Sequence, residues 1–433
     1  MEHPGSRTLR ARLTIASLAP GGDGVAHVEV DGQRRAVFVP YAAPGDVMNA
    51  EIDASQRPAR GRALELLAAG PDRVTPACPW STRCGGCDWM HLSVEAQASA
   101  HAEHVRAALP SEWRETSILV HPAPAAVGYR TRARVHVRCK RGKVAVGMNE
   151  AKTHDPVDVD SCVVLAAPIE LGRRQLAGVF EGSRGHGEVQ VALGADRVAV
   201  LDATWSGDLD AKCFARLEQA VARRDLGGAR VTIEGASRPA VIGDPTPWIR
   251  AADGEPLRLA PGGFAQASEH MSAVLARYVA ELVRPLRVDK AVELFAGAGT
   301  LSVLLAREVA DLVLVESNRQ ACDAARANLA ARELGGRVVE MSAEDYPWSP
   351  ATKLAVLDPP RTGARALAER LGASRIQHIV YVSCDTQTLA RDLKTLAPAY
   401  DARSVAAFEM FPQTSHVETV VLLERRRGPG ARP

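Results

Sequence analysis

VELFAGAGT, residues 292–300, sets an apolar strand against a glycine-rich turn, and TLSVLLAREV continues from Thr300 as a helix. Gly297 and Gly299 let the backbone turn tightly and approach a ligand closely. Working outward, the alternation recurs. DLVLVE precedes the helical RQACDAARANLAAREL, KLAVLD precedes a helix near 364–372, and HIVYVS precedes one near 385–396. Strands alternating with helices predict a parallel, doubly wound α/β sheet with ligands at the carboxyl ends of its strands. The pattern begins near residue 264, with a helix over 266–283. It ends in two consecutive strands, RSVAAFEMFP and HVETVVLLE, which predict a terminal antiparallel hairpin. Residues 264–433 are therefore expected to form the catalytic domain.

Two other regions precede it. Residues 1–68 carry short alternating strands between dense turns (Gly21-Gly22-Asp23-Gly24, Asp31-Gly32, Pro44-Gly45-Asp46), which predicts a small OB-like β-barrel. Residues 69–263 hold an irregular cysteine-bearing stretch. Strand-like runs dominate from about 118 onward, around one helix near 166–178, and this predicts a sheet-rich central domain. The chain has 433 residues, 46% hydrophobic and 24% charged, which excludes disorder for its bulk. No run of about 18 apolar residues offers a membrane span, and MEHPGSRTLRARL lacks the apolar core of a secretory signal. A cytoplasmic, monomeric protein with no membrane partner is expected. The final RRRGPGARP is expected to fray. A net charge of +2, from 53 basic and 51 acidic residues, gives no sign of a nucleic-acid partner by itself.

Glu316 ends the second strand of the α/β region, where a carboxylate accepts hydrogen bonds from a ribose diol. Such sites serve NAD or S-adenosylmethionine. Ser302 in place of a third glycine, together with the acidic Glu293 on the first strand, favours S-adenosylmethionine. Asp358-Pro359-Pro360-Arg361 follows the strand KLAVL, so Asp358 sits at a carboxyl end and the two prolines make a rigid ledge. Arg361 stands where amino-methylating enzymes carry an aromatic residue, which argues against amino methylation. Cys384 ends HIVYVSCD, and Glu418 begins the last strand. A thiol, a carboxylate and a methyl-donor site at one sheet edge suit a single reaction. A thiolate adds to carbon 6 of uracil, carbon 5 attacks a methyl sulfonium, and a base removes the carbon-5 proton.

Cys78, Cys84 and Cys87 form C-x5-C-G-G-C, and Cys162 is the best fourth ligand. Four thiolates suit zinc or a [4Fe–4S] cluster, with His91 as an alternative zinc ligand. Cys139, Cys213 and Cys322 read as inert core thiols. The stretch 129–143, YRTRARVHVRCKRGK, holds seven Arg or Lys and no acid. Arg130, Arg132, Arg134, His136, Arg138 and Lys140 fall on even positions. In a strand they share one face, for which RNA phosphates are the natural partner.

FAQ, ELFAGAGT, VES, DPPRTG, SCDTQTLARDL and HVETVVLLE occur together in this order, and through them the chain resembles the bacterial family of RNA uracil-5-methyltransferases. It is most similar to the 23S ribosomal RNA branch that carries a TRAM domain and an iron–sulfur cluster. The resemblance spans nearly the whole chain. It implies a class I methyltransferase domain, a TRAM barrel, Cys384 as nucleophile and Glu418 as base. It further implies S-adenosylmethionine contacts at Gln266, Phe295, Thr300, Glu316 and Asp358, which join Gly297 and Gly299 of the turn as the expected cofactor site, and a [4Fe–4S] cluster on Cys78, Cys84, Cys87 and Cys162. Two positions depart from the family pattern: Ser268 and Thr300 stand where Asn is frequent. Ribosomal RNA is the expected substrate, transfer RNA the alternative. A non-catalytic RNA-binding or cluster-sensing protein is the reading from another class.

Overall fold

The computed structural model describes residues 8–426 except 31 and 152. Of the tail expected to fray, Arg425 instead ends the last strand and Arg426 N–H donates to Ala399 O at 2.9 Å; its remaining residues, the first seven residues and Asp31 of the Asp31-Gly32 turn lie outside the described residues. The chain divides into two units. One holds residues up to His104 together with Phe411–His416, and the other holds Val105–Met410 and the chain from Val417 onward.

The first unit is built around a barrel. Thr8–Thr14 pairs antiparallel with Val47–Asp53, while its continuation Ser17–Leu18 pairs with Gly24–Val30. One strand, bent at Ile15 and Ala16, thus serves both ends of the sheet. Gln33–Val39 and Ala59–Ala68 complete the circuit between them. Period-two alternation supplies the interior: Met48, Ala50 and Ile52 are buried while Asn49 and Glu51 are not. Leu13, Val37 and Val39 join them in the barrel core.

The second unit contains two large sheets. In the catalytic sheet the strand order is Arg337–Glu340, Asp311–Glu316, Lys290–Leu294, Leu354–Leu357, His378–Ser383, Glu418–Arg425, Tyr400–Phe408 and Ile118–His121. The first five run parallel, and Glu418–Arg425 is inserted antiparallel to its neighbours. This is the doubly wound class I methyltransferase sheet with its terminal hairpin. Leu354, Ala355, Val356 and Leu357 are wholly buried, as parallel strands covered on both faces require. The edge strand Ile118–His121 differs from expectation. Sequence places it in the central domain, but it pairs parallel with Tyr400–Phe408. Four residues are too few for a periodicity that could assign them to a sheet.

The central sheet orders Ala240–Gly243, Gly228–Ile233, Ala199–Asp208, Arg184–Leu193, Arg132–Lys140 and Lys143–Gly147. Helices Ala167–Val179 and Lys212–Ala222 cover one face, packing Ile169, Leu176 and Leu217 on Val189, Val191 and Leu201. The other face carries polar side chains.

Candidate active site

Strand register brings the proposed nucleophile and base together. Ser383 pairs with Thr419 across antiparallel strands, so Cys384, one residue on, and Glu418, one residue back, share the same end. Leu357 pairs with Tyr381 on the other side, so Asp358 leaves the sheet at that edge too. Asp385 then caps helix Thr386–Leu396, accepting from the Gln387 and Thr388 N–H groups at 3.0 and 2.8 Å. Such a cap is worth about 1 kcal/mol. It sets the helix start directly behind Cys384, where partial positive charge favours a thiolate.

Burial dominates the electrostatics. Glu418 is fully buried, and among the described residues neither of its oxygens has a hydrogen-bond partner. Desolvation and then the Asp358 carboxylate hold its pKa well above the ordinary range, with Arg361 opposing. Asp358 keeps some exposed surface, yet loss of solvent around its carboxyl raises its pKa to about 7. The Cys384 thiol is pushed up to about 12 by desolvation, then by Glu418 and Asp358, while Arg361 pulls it down. Glu293 is raised to about 8 by burial, although the Ser302 hydroxyl donates to it at 2.6 Å. Acids crowded in low dielectric cannot all ionise, so this edge holds protons at neutral pH.

The loop carrying Arg361 is clamped from behind. Asp392, wholly buried, accepts from the Ala364 N–H and the Tyr381 hydroxyl, each at 2.7 Å. Arg391 donates to the Thr362 carbonyl at 3.0 Å. Both residues lie within SCDTQTLARDL, but no local signal marks them as holding a loop.

The glycine-rich turn forms the second half of the edge. Glu316 accepts from Gly297 N–H at 2.9 Å and Asn318 N–H at 2.7 Å, which aims its carboxylate and leaves each oxygen further acceptor capacity. Phe295 takes a left-handed φ of 62°, a strained choice for a bulky residue that concentrates at ligand sites. Gly297, at φ 56°, faces open space. Thr300 ends the turn, half-buried. Gln266 is half-buried between two fixed carbonyls: Ala265 O accepts from Arg132 and Ala267 O accepts from Thr131 N–H at 2.8 Å. Ser268, where the family pattern has Asn, caps helix Glu269–Val283 through Met271 N–H at 3.2 Å. Asn328 escaped notice in the sequence. It ties Ala298 O and Arg258 O together, each at 2.8 Å.

The basic strand needs correction. Its alternation holds, with Ala133, Val135, Val137 and Cys139 buried. Its cations are not a one-sign open face. Arg132 is desolvated, which pulls its pKa down to about 10, and it donates to Gly263 O at 2.6 Å and Ala265 O at 3.0 Å. Arg134 pairs with Glu188 at 3.0 Å and Arg138 with Asp155. Arg130 precedes the strand and bridges to Leu165. Lys140 stays exposed. The acids come from Arg184–Leu193 and a distant loop, so a reading of residues 129–143 cannot contain them.

Cys78, Cys84 and Cys87 lie half-exposed on a turn-rich loop of the first unit, where Cys84 N–H donates to Trp80 O at 2.8 Å. Cys162 belongs to the second unit. Burial raises the pKa of its thiol above the ordinary range, with the Val164 and Leu165 N–H groups opposing. The donor chemistry fits a cluster, but among the described residues no three His, Cys, Asp or Glu side chains converge closely enough to hold a metal ion. His91, the alternative zinc ligand, is buried edge-on to Tyr41, and burial lowers its pKa to about 4. Cys139, Cys213 and Cys322 are buried, as core thiols.

The family described as tRNA (Uracil-5-)-methyltransferase matches residues 349–426, the stretch that holds Asp358, Cys384 and Glu418. A 23S rRNA (uracil(1939)-C(5))-methyltransferase of Chromohalobacter salexigens is 31% identical, covering 95% of this chain and 89% of the relative. Its counterpart from Halomonas elongata is 32% identical over 98% of this chain and 92% of its own. The solved Pyrococcus abyssi tRNA (uracil-54, C5)-methyltransferase, in complex with S-adenosyl-L-homocysteine, shares the fold. It has a TM-score of 0.74 and 23% identity, over 95% of this chain and 99% of that one.

Proposed function

Because the chain belongs to the RNA uracil-5-methyltransferase family, we propose that it methylates carbon 5 of a uridine in 23S ribosomal RNA. The methyl donor is S-adenosylmethionine, and the reaction passes through a covalent adduct on Cys384. The observation that carries this reading is the thiol set directly across from a buried carboxylate with no hydrogen-bond partner among the described residues. Such a carboxylate is poorly placed to stabilise the fold and well suited to take a proton.

S-adenosylmethionine, held by Gln266, Phe295, Gly297, Gly299, Thr300, Glu316 and Asp358, supplies an electrophilic methyl group. The protein does the rest. The target uracil must leave its stack to reach the edge. Cys384, its proton passed to solvent as the uracil binds, bonds through sulfur to carbon 6, and the carbon 5–carbon 6 π electrons move towards the carbon-4 oxygen. Asp358, protonated over much of the neutral range, is suited to donate to a uracil oxygen as that charge develops. Carbon 5 takes the methyl group as the methyl–sulfonium bond breaks, its electrons leaving with S-adenosylhomocysteine. Glu418, acting in its ionised form, then accepts the carbon-5 proton, the C–H electrons re-form the double bond, and the carbon 6–sulfur bond breaks to return the thiolate.

The relatives' names favour ribosomal over transfer RNA. Lys140 and the polar face of the central sheet, with the first-unit barrel as a TRAM module, would meet phosphates. The spacing of Cys78, Cys84, Cys87 and Cys162 favours a [4Fe–4S] cluster with a structural or RNA-facing role, since methyl transfer needs no electron. Anaerobically purified protein is expected to carry roughly four irons per chain, and stoichiometric zinc without iron would overturn the cluster. The decisive experiment uses 23S RNA fragments bearing 5-fluorouridine. Fluorine cannot leave as a proton does, so an SDS-stable complex should form with the intact protein and vanish in Cys384→Ala. No complex with a fragment that the protein does methylate would refute the mechanism. The same complex with transfer RNA alone would move the substrate assignment.

A further inference from the structure

Asn328 lies on helix Arg319–Ala330 and is 3% exposed. Its side-chain amide is fully used. Nδ2 donates to the Ala298 and Arg258 carbonyls at 2.8 Å each, and Oδ1 accepts from Arg258 N–H at 2.9 Å. A primary amide carries two donor hydrogens, so each carbonyl takes one. The two targets stand on the two walls of the cofactor site. Ala298 lies inside the glycine-rich turn. Arg258 ends the hairpin formed by Trp248–Arg250 and Pro256–Arg258, and the chain runs on from it to Gln266.

Both walls need support. Gly297 and Gly299 flank Ala298 at φ of 56° and 88°, so the peptide between residues 298 and 299 can rotate at little steric cost. Gly299 N–H donates to Ala296 O at 3.0 Å and holds one end of that peptide plane. Asn328 holds the other end. On the second wall, Arg230 donates to the Pro261 carbonyl at 2.9 Å, and Arg132 donates to those of Gly263 and Ala265. These cations tie the wall to the central sheet, whereas Asn328 ties it to the turn. Behind both walls, Leu257, Leu259, Ala265, Ala298 and Val303 pack in one buried cluster. Arg332, just past the helix, grips the hairpin as well, donating to Asp253 Oδ2 at 2.7 Å and to the Pro256 carbonyl at 3.1 Å. Every residue of this arrangement belongs to the second unit. Asn is a weaker helix former than Ala, and burying its amide costs free energy unless the amide is bonded. Here those bonds go to the backbone of the two walls.

We propose that Asn328 is a positioning residue for S-adenosylmethionine. It sets the separation between the glycine-rich turn and the Gln266 segment, and through that separation the affinity for the cofactor. It acts through the Ala298 and Arg258 backbone. This rests on the cofactor placement proposed above.

The test measures binding of S-adenosyl-L-homocysteine and, separately, of a 23S RNA fragment to the full chain by isothermal titration, with melting temperature followed alongside. Asn328→Asp presents a carboxylate to two carbonyl oxygens, and Asn328→Ala removes the amide that they share. Both variants should weaken S-adenosyl-L-homocysteine on the order of 10-fold, the scale of one buried hydrogen bond left unmade, and keep RNA affinity within about twofold. Leu329→Ala is the control for plain destabilisation. Leu329, next along the helix, is 3% exposed and packs towards Gly336. Its truncation should lower the melting temperature and leave S-adenosyl-L-homocysteine binding unchanged. Should Asn328→Asp fail to fold, Asn328→Ala decides, because Ala favours the helix. Folded Asn328 variants that bind S-adenosyl-L-homocysteine normally, or that lose RNA affinity equally, overturn the positioning role. So does a Leu329→Ala protein that weakens S-adenosyl-L-homocysteine as much. A Glu316→Ala control with normal S-adenosyl-L-homocysteine binding instead overturns the cofactor placement itself.

Discussion

Alkylation of Cys384 at a series of pH values separates a preformed thiolate from one made only when substrate arrives. The thiol stands near 12 against an ordinary 9.0, first through desolvation and then through Glu418 and Asp358. Three units lower the thiolate population about 1,000-fold below that of an ordinary thiol at any pH under 9. The rarer thiolate is also the stronger nucleophile, with a Brønsted slope of about 0.4–0.5, which returns about 15- to 30-fold. The net expectation is about 30- to 60-fold slower reaction with iodoacetamide than an unperturbed thiol. Limited access slows it further, so the pH dependence is the sharper reading. The logarithm of the rate, followed by peptide mass spectrometry at Cys384, should climb with unit slope from pH 7 to beyond pH 9 without a plateau. A plateau below pH 8 would refute the reasoning. It would mean that the helix start behind Cys384, or Arg361, outweighs burial beside two acids, and that the resting enzyme already holds its nucleophile ionised.

Three further outcomes follow from other residues. Glu293 keeps its proton in the fold up to about pH 8, whereas the unfolded chain releases it above about 4.5, so the stability it contributes is greatest below 4.5 and falls as pH rises towards 8. By pH 7 the loss is about 3 kcal/mol. Glu293→Gln should gain in melting temperature over the natural protein between pH 5 and pH 7, and an unchanged difference would count against the buried proton. Arg132→Ala should raise the KM for S-adenosylmethionine, because its guanidinium fixes the Ala265 carbonyl beside Gln266, and leave the salt dependence of RNA binding unaltered. Lys140→Ala should do the reverse and lower the slope of log K against log salt by about 1.

What the sequence reveals and what it hides divide along one physical line. Cys384, Asp358, Glu418 and Glu316 were legible because each ends or begins an apolar strand, and strand ends in a doubly wound sheet converge on one edge. The alternation of Arg132–Lys140 was legible for the same reason: period two needs only neighbours. The partners of that strand were not legible. Glu188 opposes His136 from another strand, and Asp155 comes from a loop, so local charge described a face that does not exist in isolation. Arg132 shows this most clearly, since its alternation placed it correctly and its partners changed its role. Ile118–His121 and Asn328 were hidden likewise, because each matters only through a residue far along the chain.

The same division explains why the edge is built as it is. Three carboxyls and a thiol desolvated together, opposed by the exposed Arg361, weaken the fold, and Glu418 has no hydrogen bond among the described residues to offset its burial. Under the proposed mechanism, however, an ionised Glu418 without partners has no competitor for the carbon-5 proton, and a Cys384 thiol held protonated does not react before a uracil arrives. The strained backbone at Phe295 borders the turn beside Glu316. Reactivity here is withheld by burial and aimed by backbone, so substitutions that free the backbone should cost turnover even where every reacting atom remains.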